Sequence, residues 1–239
     1  MERDKLFENY ISSQIKFTDR RKDLSSGKQR RFLKNFVPYL STNKDARIID
    51  FGPGKGDFLR LLLRLGYNNI QGIDISPEVV EYCNQTMPGS ATWVQNPISF
   101  LEGLRGSVDA ICASHVLEHI PKNEVLPLLH AIKAALKPEG RLIIEVPNGD
   151  APLANIMRYG DFTHEISYTE RSLRQVMTLA GYPSVDIQPS RLPLDHPLRP
   201  IQLSIQLVFF TSIKLLCRIL DTYKPNYLHA SIICVASPA

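Results

Sequence analysis

Cysteine is scarce in this chain of 239 residues, and the four present stand apart. Cys83, Cys112, Cys217 and Cys234 make no C-x-x-C and no paired spacing, which excludes a disulfide framework and a cysteine-based zinc site. Two of them lie in apolar runs, as suits reduced, buried thiols in a cytosolic protein. No uncharged apolar stretch of about 18 residues occurs, so no membrane span is expected. The opening M-E-R-D-K-L-F-E-N-Y has no apolar signal-peptide core, and a cytoplasmic location is the expectation. Repeats and low-complexity segments are missing as well. So is a basic stripe interleaved with aromatics, which argues against a nucleic-acid partner.

What is there suits one α/β domain with additions. The composition is 44% hydrophobic and 22% charged, in a chain long enough to bury a sizeable core. The net charge of +4 is mild but uneven: residues 1–47 hold 12 Lys or Arg against 6 Asp or Glu, the rest 16 against 18. Such a basic arm is either a solvated face or a surface for an acidic acceptor, a phosphate or a membrane.

The chain is organised around Asp50–Asp57, D-F-G-P-G-K-G-D. The β-branched run Arg47-Ile48-Ile49 precedes it, and Phe58-Leu59 with Leu61-Leu62-Leu63 follows. Strand, glycine-rich turn and helix together aim backbone N–H groups and a positive helix end at a ligand. Gly52, Gly54 and Gly56 let a ligand approach the backbone without a Cβ in the way. A dinucleotide site wants Gly or Ala where Asp57 stands, and a carboxylate there would repel a pyrophosphate.

From Arg47 onward strand and helix alternate. Strands are expected at 47–51, 70–74, 91–95, 108–113, 140–146, 182–190 and 228–236, and helices at 57–65, 77–86, 97–104 and 123–136. Ser76 and Pro77 mark one helix start, and Thr169 caps another, with Tyr168 and Leu173 as a hydrophobic staple. Lys137-Pro138-Glu139-Gly140 reads as a helix-ending turn. Residues 1–40 read as two helical pieces broken at Ser25-Ser26-Gly27. Alternation implies a mainly parallel sheet with ligands at the carboxyl ends of its strands. Asp74 ends the strand after the glycine loop, where a carboxylate accepts ribose hydroxyls; a helix-capping Asp is the bland alternative.

The fourth strand runs into Ser114-His115-Val116-Leu117-Glu118-His119-Ile120-Pro121. Read literally, H-V-L-E-H fits a zinc-protease signature. That chemistry needs a helix presenting both histidines and a third ligand downstream. A β run enters the segment directly and Pro121 follows at once, so no metal is expected.

The glycine loop, H-V-L-E-H and L-K-P-E-G-R-L-I-I-E-V-P-N from Leu136 together resemble the class I S-adenosylmethionine-dependent methyltransferases, over roughly 46–189. That resemblance implies a Rossmann-like three-layer α/β sandwich, its seven-stranded sheet mainly parallel with the last strand antiparallel. It implies S-adenosyl-L-methionine as cofactor, held by Asp50, Gly52, Gly54, Gly56, Asp74 and the adjoining Ile75. Asn96 stands where the family often has an acidic residue near the adenine amine, with Pro97 and Ile98 flanking the ring. Ser114 and His115 would line the methionine end, and N-terminal helices would lie over the cleft.

His164 is the candidate general base, since a hydroxyl acceptor must lose a proton and His titrates near neutrality. The expected acceptor is a sugar, glycan or lipid-linked hydroxyl; a small aromatic or quinone-like metabolite, or a non-catalytic scaffold role, stays open. The division expected is a helical cap (1–45), the cofactor-binding core (46–190), an apolar insertion (191–227) and a final strand (228–239). The insertion is peculiar to this chain: about 35 residues separate the last two strands, where two to five usually close a hairpin. An uncharged helix at 201–213 would be about 20 Å long, short of a bilayer core of about 30 Å. Its apolar face, over 200–220, would meet a membrane surface, from the cytoplasmic side, or a second copy of the chain; a core helix sealing the acceptor pocket is the other reading.

Overall fold

The computed structural model describes residues 2–8, 10–15, 26–191 and 198–239. Seven strands form one sheet: β1 (Ile48–Phe51), β2 (Ile70–Asp74), β3 (Ala91–Trp93), β4 (Val108–Ser114), β5 (Leu136–Pro147), β6 (Ser184–Pro189) and β7 (Ser231–Ser237). Their order is β3-β2-β1-β4-β5-β7-β6. β1 to β5 pair in parallel, whereas β7 runs antiparallel to both β5 and β6. This is the expected Rossmann-like sandwich with its last strand reversed.

The strands read as continuous apolar runs because both faces are covered. Ile49, Ile111 and Ile144 enter one core, while their neighbours Ile48, Cys112 and Ile143 enter the other. Helices α4 (Asp57–Arg64), α5 (Pro77–Thr86), α6 (Pro97–Glu102), α7 (Lys122–Ala135), α8 (Ala154–Gly160) and α9 (Glu170–Leu179) follow the strands. The caps are those the sequence announced. Ser76 accepts from the Val79 N–H with Pro77 next to it, and Thr169 and Ser172 form a reciprocal capping box above buried Tyr168 and Leu173.

β5 departs from expectation at its start. Leu136 already pairs with Val108, and the ladder resumes at Ala110 and Arg141 after a shift of register. The irregularity absorbs Pro138, which has no N–H to donate. A Cβ at Gly140 would lie 2.9 Å from the Lys137 carbonyl and 3.0 Å from that of Val108. The Lys137–Gly140 run, just past the end of α7 at Ala135, is thus an irregularity inside β5, four residues standing opposite Asp109 alone.

The described residues of the N-terminal region are helical in α1 (Glu2–Glu8), α2 (Tyr10–Ile15) and α3 (Ser26–Asn35). α3 begins inside the expected break and packs deeply. Phe32 and Phe36 contact Phe58 of α4 at centroid distances of 4.8 and 5.4 Å, and burying each ring contributes about 1.5–3 kcal/mol. α3 is thus part of the core.

Between β6 and β7 lies α10 (Arg199–Ile219), 21 residues with none buried. Ile205, Leu207 and Val208 are 65%, 68% and 68% exposed, so α10 does not seal a pocket as a core helix. It also exceeds the expected 201–213. At 1.5 Å per residue it spans about 31 Å, and by length and composition it is apolar enough to cross a membrane. A search for uncharged runs misses this because Lys214 and Arg218 interrupt the sequence. The C-terminal half is nonetheless tied to the body: Lys214 Nζ donates to the Asn226 carbonyl at 2.8 Å, and Phe210 meets His229 edge-on.

Candidate active site

Strand order reverses between β1 and β4, and in open α/β sheets the crevice at such a switch point, outside the carboxyl ends of the strands, holds the ligand. A cavity of about 950 Å³ opens there, lined by residues from the ends of β1, β2 and β4 and by the N-terminal helices. Of the expected cofactor residues, Asp50, Gly52, Gly54, Asp74, Ile75, Asn96, Pro97, Ser114 and His115 all line it. Gly56 sits just behind the wall as the N-cap of α4.

The glycine loop is built by conformation and by packing. Gly52 has φ +72°, and a Cβ there would stand 2.5 Å from Val116 Cγ2. Gly54, at φ +53°, has nothing within 4 Å of such a Cβ. It needs glycine for its backbone alone, which leaves its open side to a ligand. Asp57 follows, held by Arg60 at 2.9 Å and Lys28 at 3.4 Å.

Two carboxyls sit on the floor. Asp50 is buried, with Oδ2 lacking a partner among the described residues. Burial, then the charges of Asp74 and Asp57, push its pKa up to about 8. Asp74 Oδ1 accepts from the Ser76 N–H at 2.8 Å; burial raises its pKa to about 7 against the pull of the Ser76 and Ile75 N–H groups. Both are carboxyls that a hydrogen-bond donor or a positive ligand would ionise. Beside them Trp93 donates from Nε1 to the Ile75 carbonyl at 3.0 Å, fixing an aromatic wall that motif reading did not single out.

Two expected contacts have structural work as well. Asn96 Oδ1 caps α6 through the Ser99 N–H at 3.1 Å, leaving its amide group for the cavity. Ser114 donates to Glu145 Oε2 at 3.0 Å, and Ser190 donates to Oε1 at 2.8 Å. Arg31 of α3 stands 3.4 Å from the same fully buried carboxylate. This network ties the helical cap to the cavity wall. Its parts are too far apart in sequence to have been found by motif.

At the far end the H-V-L-E-H segment forms a tight 3₁₀ turn at Leu117–His119. His115 takes a left-handed φ of +58°, a strained conformation for a residue with a Cβ. Its N–H donates to the Glu145 carbonyl, and Nδ1 lies 3.1 Å from Glu118 Oε1. Burial lowers the His115 pKa, but the bond to Glu118 and the charges of Glu118 and Glu145 more than offset that and raise it.

His164 does not line the cavity; His119 does. The two rings meet edge to face at a centroid distance of 4.6 Å, because the Glu165 and Ile166 N–H groups bond the Glu118 carbonyl at 2.8 and 3.1 Å. The general-base candidate therefore stands behind the histidine that faces the cleft. Phe7 and Tyr10 pack edge-on against His119 from above, and the Tyr10 hydroxyl donates to Asp161 at 3.2 Å. This covers the cleft as the resemblance implied.

Comparison with known proteins agrees with this geometry. The chain is 29% identical to the bifunctional biotin biosynthesis protein BioHC of Cellvibrio japonicus, over 66% of this chain and 32% of that one. It is 27% identical to YqeM of Bacillus subtilis, a presumed methyltransferase, over 55% of this chain and 56% of that one. The chain thus spans about a third and just over half of these curated relatives. In fold it is similar to a SAM-dependent methyltransferase from Archaeoglobus fulgidus, with TM-score 0.68 at 22% identity, covering 95% and 99% of the two chains. It is also similar to phosphoethanolamine N-methyltransferase 2 of Haemonchus contortus, with TM-score 0.64 at 15% identity, covering 97% and 60%. A model of the methyltransferase domain matches residues 25–186. The chain belongs to the methyltransferase domain family.

Proposed function

We propose that this chain transfers a methyl group from S-adenosylmethionine to a hydroxyl of a sugar, glycan or lipid-linked acceptor. The observation that carries the reading is a single cavity with a glycine loop and two protonatable carboxyls at one end and His115 and His119 at the other. The residues fit the cofactor: the open side of Gly54 admits it, and the unpartnered Oδ2 of Asp50 suits a positive group. When bound, the cofactor supplies an electrophilic methyl on a sulfonium. Asp74 accepts ribose hydroxyls, Trp93 and Pro97 flank the base, and the cap excludes water. His119 is kept neutral, since burial lowers its pKa more than Glu118 raises it. An acceptor hydroxyl held at this end would have to lose its proton on methylation, and His119, facing the cavity with His164 behind it, would accept that proton. Incubation with methyl-labelled cofactor and a panel of hydroxylated acceptors is expected to label a glycan or lipid-linked acceptor. Labelling confined to aromatic or quinone-like metabolites, or none with cofactor bound, overturns the acceptor class or the activity.

The same reading puts α10 on the cytoplasmic face of a membrane, lying flat on the surface. Its exposed apolar residues supply the insertion face, and Arg199, Lys214, Arg218 and Lys224 the attraction to anionic headgroups. The contacts of Lys214 and Phe210 with Asn226 and His229 keep it beside the body, which opposes a crossing. In flotation with anionic vesicles the wild type is expected to rise with the lipid. Leu207→Glu with Phe209→Glu is expected to weaken binding at least about tenfold. A wild type that ignores vesicles and scatters light as a dimer overturns the membrane reading.

A further inference from the structure

Behind the acceptor end of the cavity stands a buried carboxylate whose needs the described residues do not meet. Glu118 is 1% exposed; Oε1 is engaged by His115, while Oε2 is buried with no hydrogen-bond partner among the described residues. A buried carboxylate oxygen without a donor is a costly arrangement that calls for a specific explanation. Beside it are His119 and His164, and one ligand atom from each of the three side chains lies within 4.8 Å of the other two.

The protons on the two rings can be assigned. Thr163 Oγ1 donates to Asp161 Oδ1 at 2.6 Å and lies 2.8 Å from His119 Nδ1. The hydroxyl hydrogen is used on Asp161, whose carboxyl is held below its usual range despite burial by two hydrogen bonds from Thr163 and by His119 and His164. The hydrogen between Thr163 and His119 therefore sits on Nδ1, and the His119 lone pair sits on Nε2. His164 Nδ1 lies 2.8 Å from the Met157 carbonyl, which can only accept. Its lone pair is on Nε2 as well. Each ring thus spends its N–H on a hydroxyl or a carbonyl, as metal-bound histidines do.

We propose that Glu118, His119 and His164 form a divalent transition-metal site of two imidazole nitrogens and one carboxylate oxygen. This donor set suits Zn²⁺ and its Co²⁺ and Mn²⁺ relatives better than Mg²⁺, which prefers oxygen ligands. It reverses the expectation that no metal binds. The H-x-x-E-H spacing does contribute, but through Glu118 and His119 on a 3₁₀ turn, with His164 as the downstream ligand and His115 as support for the carboxylate. Three protein ligands leave a position open, and His119 lines the cavity. On the methyl-transfer reading, a metal there would take both Nε2 lone pairs, so the rings would act as ligands in place of accepting the proton themselves, and an acceptor hydroxyl in the open position would lose its proton to water more readily.

The test reads metal binding without turnover. The full chain is stripped with chelator, then titrated with Co²⁺ by visible absorption and with Zn²⁺ and Mg²⁺ by calorimetry, with no cofactor present. One Co²⁺ or Zn²⁺ per chain is expected, with Mg²⁺ at least about 100-fold weaker. His119→Ala and His164→Ala are each expected to weaken Zn²⁺ binding roughly 100-fold, and the exposed His130→Ala to leave it unchanged. Circular dichroism checks folding, and if His119→Ala fails to fold, the half-buried His164 carries the test. Absent binding in the wild type, or wild-type affinity in folded His164→Ala, overturns the site. S-adenosylhomocysteine binding is measured on the same preparations. Cofactor binding without metal removes the metal site alone; metal binding without cofactor removes the methyltransferase reading alone.

Discussion

His164→Ala is expected to lower kcat for methyl transfer by roughly 10²–10⁴-fold while leaving cofactor affinity little changed. His164 stands clear of the cavity wall, so it acts through the site it completes, in edge contact with His119. His119→Ala should lose a similar factor. The double variant should lose far less than the product, since residues that act as one unit are not additive. The measurement is kcat and KM across pH. A fall in kcat with KM for cofactor steady marks loss of the site that serves the acceptor's proton. A His164→Ala enzyme that keeps most of its turnover returns that residue to a purely structural role in the 154–165 loop.

The second large effect concerns the cavity floor. Asp74→Ala is expected to weaken S-adenosylhomocysteine by about 1–3 kcal/mol, the range for a lost charge-assisted hydrogen bond. NAD should bind far more weakly than S-adenosylhomocysteine to the wild type, because Asp57 stands where a dinucleotide loop has Gly or Ala and its carboxylate would repel a pyrophosphate. The pH dependence has a definite sign. In the free protein the carboxyls of Asp50 and Asp74 are raised to about 8 and about 7, and the bound cofactor favours their ionised forms. Affinity should therefore fall as pH drops below about 8, by up to about tenfold per unit per group. Stability of the ligand-free chain moves the other way: these raised groups stabilise it most at low pH, and that contribution is lost as pH rises through 7 and 8. Fluorescence of the single tryptophan, Trp93 beside Asp74, follows binding directly, with calorimetry for enthalpy. Equal or tighter NAD binding, or affinity that is flat with pH, would overturn this assignment of the floor.

The legible parts were those written locally. D-F-G-P-G-K-G-D carries its turn in its own backbone needs, and Asp74 follows from the strand that ends on it. Thr169, Ser76 and Pro77 announced their helices by side-chain chemistry within one turn. What escaped notice depends on chain brought from afar. Arg31 meets Glu145 only because α3 crosses the core, and Tyr10 reaches Asp161 only because α2 covers the cleft. His119 was passed over for His164 because the 3₁₀ turn, and not the motif, decides which ring faces the cavity. The start of β5 was set four residues late because one ladder pair, Val108 with Leu136, forms before the irregular Lys137–Gly140 run.

The register of the last two strands carries a consequence for how this chain could be rearranged. Pro189 faces Ile232 across the ladder, so the segment bearing α10 leaves and rejoins the sheet at one corner. Closing that corner with a short turn would shorten the loop roughly tenfold and recover about 2 kcal/mol of closure entropy. No strand would have to change its partners. The excursion and the cleft are in that sense separable modules: the first could be lost, lengthened or exchanged while the cleft on the opposite edge of β5 stays intact. The acceptor's whereabouts, rather than its reaction, would then be what such exchanges alter.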